Sequence, residues 1–191
     1  MPTVTTLNDL FVDLLKDIYY AEKKILKALP KMAKSLEKGS SLAAAFENHR
    51  QETEGQVERI EQVFEIIGKR AVGKKCEALE GLTKEADELM EDVDCQATLE
   101  AGLLAGAQAV EHYEIARYGT LVEWAKLLGH EDAAELLEQT LEEEKKTDEL
   151  LNKMAVSAIN ERALHAQNES GEELEDSDEE PSSSRSKRKA A

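Results

Sequence analysis

Four glutamates stand where they could do chemistry. Sliding the chain by 92 positions places Glu22 on Glu114 and Glu52 on Glu144, together with Leu29 on Leu121, Ala33 on Ala125, Lys34 on Lys126 and Leu36 on Leu128, without a gap. In each half the paired glutamates are 30 residues apart (52 − 22 and 144 − 114), as expected for corresponding heights on two adjacent helices. Glu22 follows Ile18 by four and precedes Ile25 by three. Glu114 lies seven from Ala107 and from Leu121, and Glu144 seven from Leu137 and from Leu151. Glu52 falls seven after Ala45 and eight before Ile60. Such spacings share one face of a helix, so all four carboxylates are predicted to face a core.

A buried ionised carboxylate costs several kcal/mol to desolvate, and four meeting at one point need protons, cationic partners or metal ions. Two divalent ions per chain would neutralise them, and an oxygen-rich site suits Fe²⁺, Mn²⁺ or Mg²⁺ more than a thiolate-loving metal; iron is the ion expected, with manganese as the alternative. Further ligands follow from phase. His49 is one turn before Glu52 and Gln56 one turn after it. Glu111 is one turn before Glu114, and Asp148 one turn after Glu144. Gln56 and Asp148 also correspond across the repeat. His49 is the best nitrogen candidate, either as a ligand or as a supporting histidine at the helix boundary. His112, next to Glu111 in sequence, points elsewhere and reads as a surface residue.

An ion-pair network is the competing account. Arg59 lies seven after Glu52 and Arg117 three after Glu114. Two guanidinium groups cannot neutralise four carboxylates plus Asp148 and Glu111, so metal is favoured. Tyr19, Tyr113 and Tyr118 read as core residues beside the site. No residue is assigned a catalytic role.

The elements that must position these groups are helices. Thr6 and Asp9 form a capping box ahead of apolar residues at three- and four-residue steps, predicting a first helix over 7–37 with a kink near Pro30. Gly39 to Ser41 stop it and cap a second helix that runs to Gly68. Residues 69–95 differ: a basic loop with Lys69, Arg70, Lys74 and Lys75 leads to a short amphipathic helix, which reads as a crossover. A third long helix is predicted over Gln96–Leu128, ended by Gly129, and a fourth over Asp132–Asn160. Helices of ~28 residues are ~42 Å long and must bury their apolar stripes against one another. The expectation is an all-α, antiparallel four-helix bundle of the ferritin-like kind, with a long crossover between the second and third long helices that contains a short fifth helix. The bundle is assigned to residues 1–162. Residues 163–191 read as a disordered charged tail, acidic and Ser-rich before a basic RSKRK end.

Composition excludes other classes. Against 24 basic residues stand 41 acidic ones, for a net charge of −17. That balance repels phosphate backbones, making nucleic acid an unlikely partner for the folded domain. The start MPTVTTLNDLF has no basic n-region or apolar h-region and no stretch suits a membrane span, so a cytoplasmic protein is expected. Cys76 and Cys95 lack metal or redox spacing and read as structural thiols. No P-loop, Gly-rich nucleotide loop or Ser–His–Asp arrangement supports a kinase or hydrolase.

The stretches LFVDLLKDIYYAEKKILKALPKM, HRQETEGQVERIEQVFEIIG, EHYEIARYGTL and LLEQTLEEEKKTDELL closely resemble the YciE/YciF family of bacterial stress-associated ferritin-like proteins, over roughly residues 6–160. The resemblance implies a dimeric helical bundle with a dinuclear metal centre. Against the ferritin-like pattern of one Glu from each of two helices and Glu-x-x-His from each of the others, Glu22 and Glu114 fit the lone glutamates, and Glu52 and Glu144 the first residue of the paired motif. The histidines of that motif are replaced by Gly55 and Thr147. The function expected is a di-metal stress-response protein, an oxidoreductase or peroxide scavenger acting on dioxygen or peroxide. The alternative is a non-catalytic helical interaction protein with a structural or vestigial metal site.

Overall fold

The computed structural model describes residues 4–166. Helix α1 spans Leu7–Ser35, α2 Ser41–Ile66, α3 Glu77–Asp92, α4 Gln96–Leu127 and α5 Glu131–Met154. A π-helical turn, Ala155–Ile159, follows α5, and residues 160–166 are again helical.

The ends form where the sequence supplies caps. Thr6 Oγ1 accepts from the Asp9 N–H at 3.1 Å while the Asp9 carboxylate accepts from the Thr6 N–H at 3.0 Å, completing the capping box of α1. Ser40 Oγ accepts from Leu42 and Ala43 at the start of α2. At the end of α4, Gly129 at φ 77° lets the chain turn so that His130 N–H bonds Ala125 O at 2.9 Å, satisfying a carbonyl that the helix cannot. Pro30 lies inside α1, which continues through it to Ser35.

The buried positions of α1 run Phe11, Leu15, Ile18, Glu22, Ile25, Leu29, Met32, in alternate steps of four and three. In α4 the run Ala107, Glu111, Glu114, Tyr118, Leu121, Ala125 repeats the rhythm. This is the spacing of helices packed side by side at a shallow angle. α1 packs on α2 and α4, and α5 packs on α2 and α4, which closes a ring of four long helices. Side-chain contacts give the directions. Tyr113 reaches Asp17 while Gln96 reaches Ser35, so α4 descends as α1 ascends. Gln56 reaches Glu144 and Arg59 reaches Thr140, so α2 and α5 are antiparallel too.

The crossover lies on the outside of this ring. Residues 69–76 are pinned to α1 by Lys74 N–H donating to Lys16 O at 3.0 Å and by the Lys74–Asp13 ion pair at 2.6 Å. α3 then covers the seam between α1 and α4, burying Leu79, Thr83 and Ala86. Full burial of Leu or Phe side chains such as Phe11, Leu15, Phe46 and Leu103 contributes about 1.5–3 kcal/mol each, and this apolar framework sustains the polar centre described below.

The predicted domain boundary at 162 falls within the last helical run, since 163–166 are helical. The rest of the predicted tail, 167–191, lies outside the described residues. Among the described residues, no helix is long and apolar enough to cross a membrane.

Candidate metal centre

Halfway along the bundle the apolar stripes give way to acid. Glu22, Glu114 and Glu144 are fully buried, and Glu111 and His49 are 2% and 5% exposed. His49, Glu111, Glu114 and Glu144 each bring one ligand atom to within 4.8 Å of the others. Glu22 enters from α1, where Tyr118 donates its hydroxyl hydrogen to Oε1. Gln56 donates its amide hydrogen to Glu144 Oε1 from α2. His49 Nε2 stands 3.2 Å from Glu111 Oε1, close enough for an ion pair but not aligned as a hydrogen bond.

The donors then run out. Both oxygens of Glu114, Oε2 of Glu22, Glu111 and Glu144, Oε1 of Gln56 and both ring nitrogens of His49 are buried without a hydrogen-bond partner. Among the described residues, no Lys or Arg pairs with Glu22, Glu111, Glu114 or Glu144. The expected arginine alternative does not form at the centre. Arg59 is drawn to Glu143, which it grips with two hydrogen bonds of 2.6 and 2.7 Å, and to Thr140. Arg117 lies over the Tyr113 ring, 4.8 Å from its centroid.

Burial pushes the Glu22 carboxyl up to about 7, against the opposing pull of Tyr118's hydrogen bond and the charge of His49. Burial, followed by the charges of Glu22 and Glu144, raises Glu114 well above the usual carboxylate range. Glu144 is raised by burial and by Glu111. Burial alone would lower His49, but the neighbouring Glu111 and Glu52 and the charge of Glu144 carry it well above its ordinary value. The group therefore binds protons avidly, as carboxylates crowded away from water must, and a divalent cation would satisfy the same demand.

Not every residue expected here is brought in. Glu52 points outward: its side chain is 51% exposed, and its carboxylate meets the centre only through Oε2, 3.6 Å from His49 Nδ1. Of its two reference residues, Ala45 lies at the edge of the buried face, and Ile60, though buried, is eight residues away, a spacing that turns about 80° around a helix. The stripe of α2 runs Leu42, Phe46, His49, Thr53, Gln56, Ile60, and Glu52 lies one position to the side. Asp148 is partly buried and stands 3.2 Å from His112 Nε2, and it is not one of the four residues whose ligand atoms converge. His112 is exposed, as its position suggested. Of the three tyrosines only Tyr118 touches the cluster. Tyr19 bonds Glu61 at 2.6 Å, and Tyr113 bonds Asp17 beside the buried Cys76.

The direct bond from Tyr118 to Glu22 and the clamp of Arg59 on Glu143 were not foreseen. Tyr118 was detectable, being four residues after Glu114 on the same stripe. Glu143 is out of phase with the buried stripe of α5, and nothing in a single helix reveals that Arg59 from α2 will cover it.

Three relatives frame this arrangement. The chain is 46% identical over 159 residues to protein YciF of Escherichia coli (strain K12), covering 83% of this chain and 95% of that protein. The crystal structure of that YciF, described as a stress protein, superposes with a TM-score of 0.78 over 82% of this chain and 99% of its own. YcfI from Rhodopseudomonas palustris, also 46% identical, gives 0.76 over 79% and 96%. A protein from Xanthomonas campestris at 23% identity, with a TM-score of 0.66 over 85% and 99%, shares the fold. Residues 6–164 match the domain of unknown function DUF892, and with so close a relative over most of its length this chain belongs to that family.

Proposed function

We propose that Glu22, Glu111, Glu114, Glu144 and His49 hold two divalent metal ions, iron before manganese, and that the protein is a di-metal oxidoreductase or peroxide scavenger of the stress response. The carrying observation is the set of buried carboxylate oxygens that have neither a donor nor a basic side chain, above all both oxygens of Glu114. Two divalent ions balance four carboxylates, and the mixture of oxygen with a single imidazole suits iron or manganese. Such ions supply electron-transfer chemistry toward dioxygen or hydrogen peroxide.

The chain's own groups prepare the ligands. Tyr118 fixes Oε1 of Glu22 and leaves Oε2 free, and Gln56 does the same for Glu144. Supporting contacts of this kind orient ligands and sharpen affinity. The stress role is supported by the description of the Escherichia coli relative. The homodimer implied by the family resemblance belongs to the same reading, and light scattering at twice the chain mass tests it.

The test is metal uptake. Chelator-treated protein reconstituted anaerobically with Fe²⁺ or Mn²⁺ and quantified by plasma mass spectrometry should approach two ions per chain, with a clear loss in Glu114→Gln and Glu144→Gln. Uptake below one ion per chain, or uptake indifferent to both substitutions, overturns the reading. Full uptake without peroxide or dioxygen consumption would retain the centre and remove the oxidoreductase.

A further inference from the structure

Beside the acidic cluster lies a cavity of about 180 Å³. Leu29, Phe46, Ala107 and Leu151 form its apolar side, Asn48 and Thr147 add polar groups, and its buried end is formed by His49 and Glu111. Glu52 and Lys146, both exposed, stand at the opening between α2 and α5. Glu22, Glu114 and Glu144 take no part in the lining, so this space is additional to what the carboxylate cluster encloses.

The volume and the lining select an occupant. A molecule the size of water takes about 30 Å³, so peroxide or dioxygen alone would leave most of the cavity empty, whereas an apolar cavity of about 150 Å³ accepts benzene. Apolar walls favour a ring, since each Å² of ring surface withdrawn from water contributes about 25 cal/mol. The inner end demands a polar tip: Glu111 Oε2 is buried without a donor, in a residue only 2% exposed. Glu111 itself, with an oxygen that has no donor, repels a carboxylate or phosphate set against it and accepts a hydrogen bond from a neutral hydroxyl.

We propose that this cavity binds a neutral monocyclic phenol, its ring between Phe46 and Leu151 and its hydroxyl at the Glu111–His49 edge. The binding site stands on the cavity and its buried acceptor. Because the metal reading above assigns Glu111 and His49 to an ion, this anchor is that of the metal-free protein, and a co-substrate role rests on that reading.

Phenol is the probe, titrated by NMR into the full chain after chelation, with metal uptake measured separately on the same preparation. Saturable binding is expected, weakened roughly tenfold or more in Ala107→Leu, which fills the cavity, with benzoate binding far more weakly than phenol. Ala45→Met, at a half-buried wall position, gives the same readout should Ala107→Leu fail to fold. Absence of saturable phenol binding, unchanged affinity in the filled variants, or equal binding of benzoate overturns the proposal. Phenol binding without metal uptake would sink the di-metal centre and leave the pocket, and metal uptake without phenol binding would do the reverse.

Discussion

Tyr118 on α4 donates its hydroxyl hydrogen to Glu22 on α1, and both side chains are completely shut off from solvent. Among the described residues this bond is the one direct donor that Glu22 has, and it opposes the upward push of burial on the carboxyl. Tyr118→Phe keeps the ring and deletes the donor. In metal-free protein the loss should be about 1–3 kcal/mol at pH 8, where Glu22 is ionised, and smaller at pH 5. Urea denaturation at both values checks this, and equal losses would show that the hydroxyl does not serve the carboxylate.

The pH dependence of the metal-free protein should run opposite to that of a protein held by surface ion pairs. Glu22 has a folded-state value of about 7, above its ordinary 4.5, so its contribution is complete below about pH 4.5 and is lost as pH rises toward 7. Glu114 and Glu144, raised by burial, act in the same direction, as does His49, carried upward by its acidic neighbours despite burial. The melting temperature should therefore fall between pH 5 and pH 8, with Glu22 alone contributing on the order of 2 kcal/mol. Bound metal favours the ionised carboxylates and should remove or reverse that slope. A metal-free protein more stable at pH 8 than at pH 5 would contradict the account.

The fold was legible because each helix carries its own evidence: the Thr6–Asp9 box, Ser40 before α2, and Gly129 after α4 are local signals that read the same in isolation and in the bundle. Glu22, Glu114 and Glu144 were legible because large apolar residues fix the phase on either side of them. Glu52 was misplaced because Ala45, a small residue at the rim of the stripe, locates the face only to within a position or so, and the eight-residue step to Ile60 is itself off the face by about 80°. The partners of Arg59 and Tyr118 depend on which helices become neighbours and at what height, and that information sits in the packing of the whole ring.

Glu114 offers a substitution whose effects should have opposite signs. Neither of its carboxylate oxygens has a partner, so in the metal-free protein an ionised Glu114 is a cost rather than a support. Glu114→Gln removes the charge at nearly constant volume and should raise metal-free stability at pH 8 by about 1–3 kcal/mol while lowering metal uptake. Melting curves with and without Fe²⁺ measure both effects on the same sample. A variant less stable than wild type in the metal-free state would mean that the charge is compensated by something other than a cation.

Glu52 and Glu144 occupy corresponding positions of the internal repeat, yet one side chain is 51% exposed and the other is fully buried. The repeat alone predicts equal roles, whereas burial predicts a division of labour. Glu52→Ala removes a solvated carboxylate that approaches only His49 Nδ1, so stability should change by no more than about 0.5 kcal/mol. Glu144→Ala opens a hole in the core and takes away the acceptor of the Gln56 amide, leaving Gln56 without that bond. The metal-free protein should then respond to two opposed terms, the cavity and the lost charge, while metal affinity falls at least an order of magnitude further than in Glu52→Ala. Competition against a chelator of known affinity measures that ratio. Comparable losses in the two variants would mean that Glu52 swings inward when metal binds, and the exposed position would then be that of the metal-free state alone.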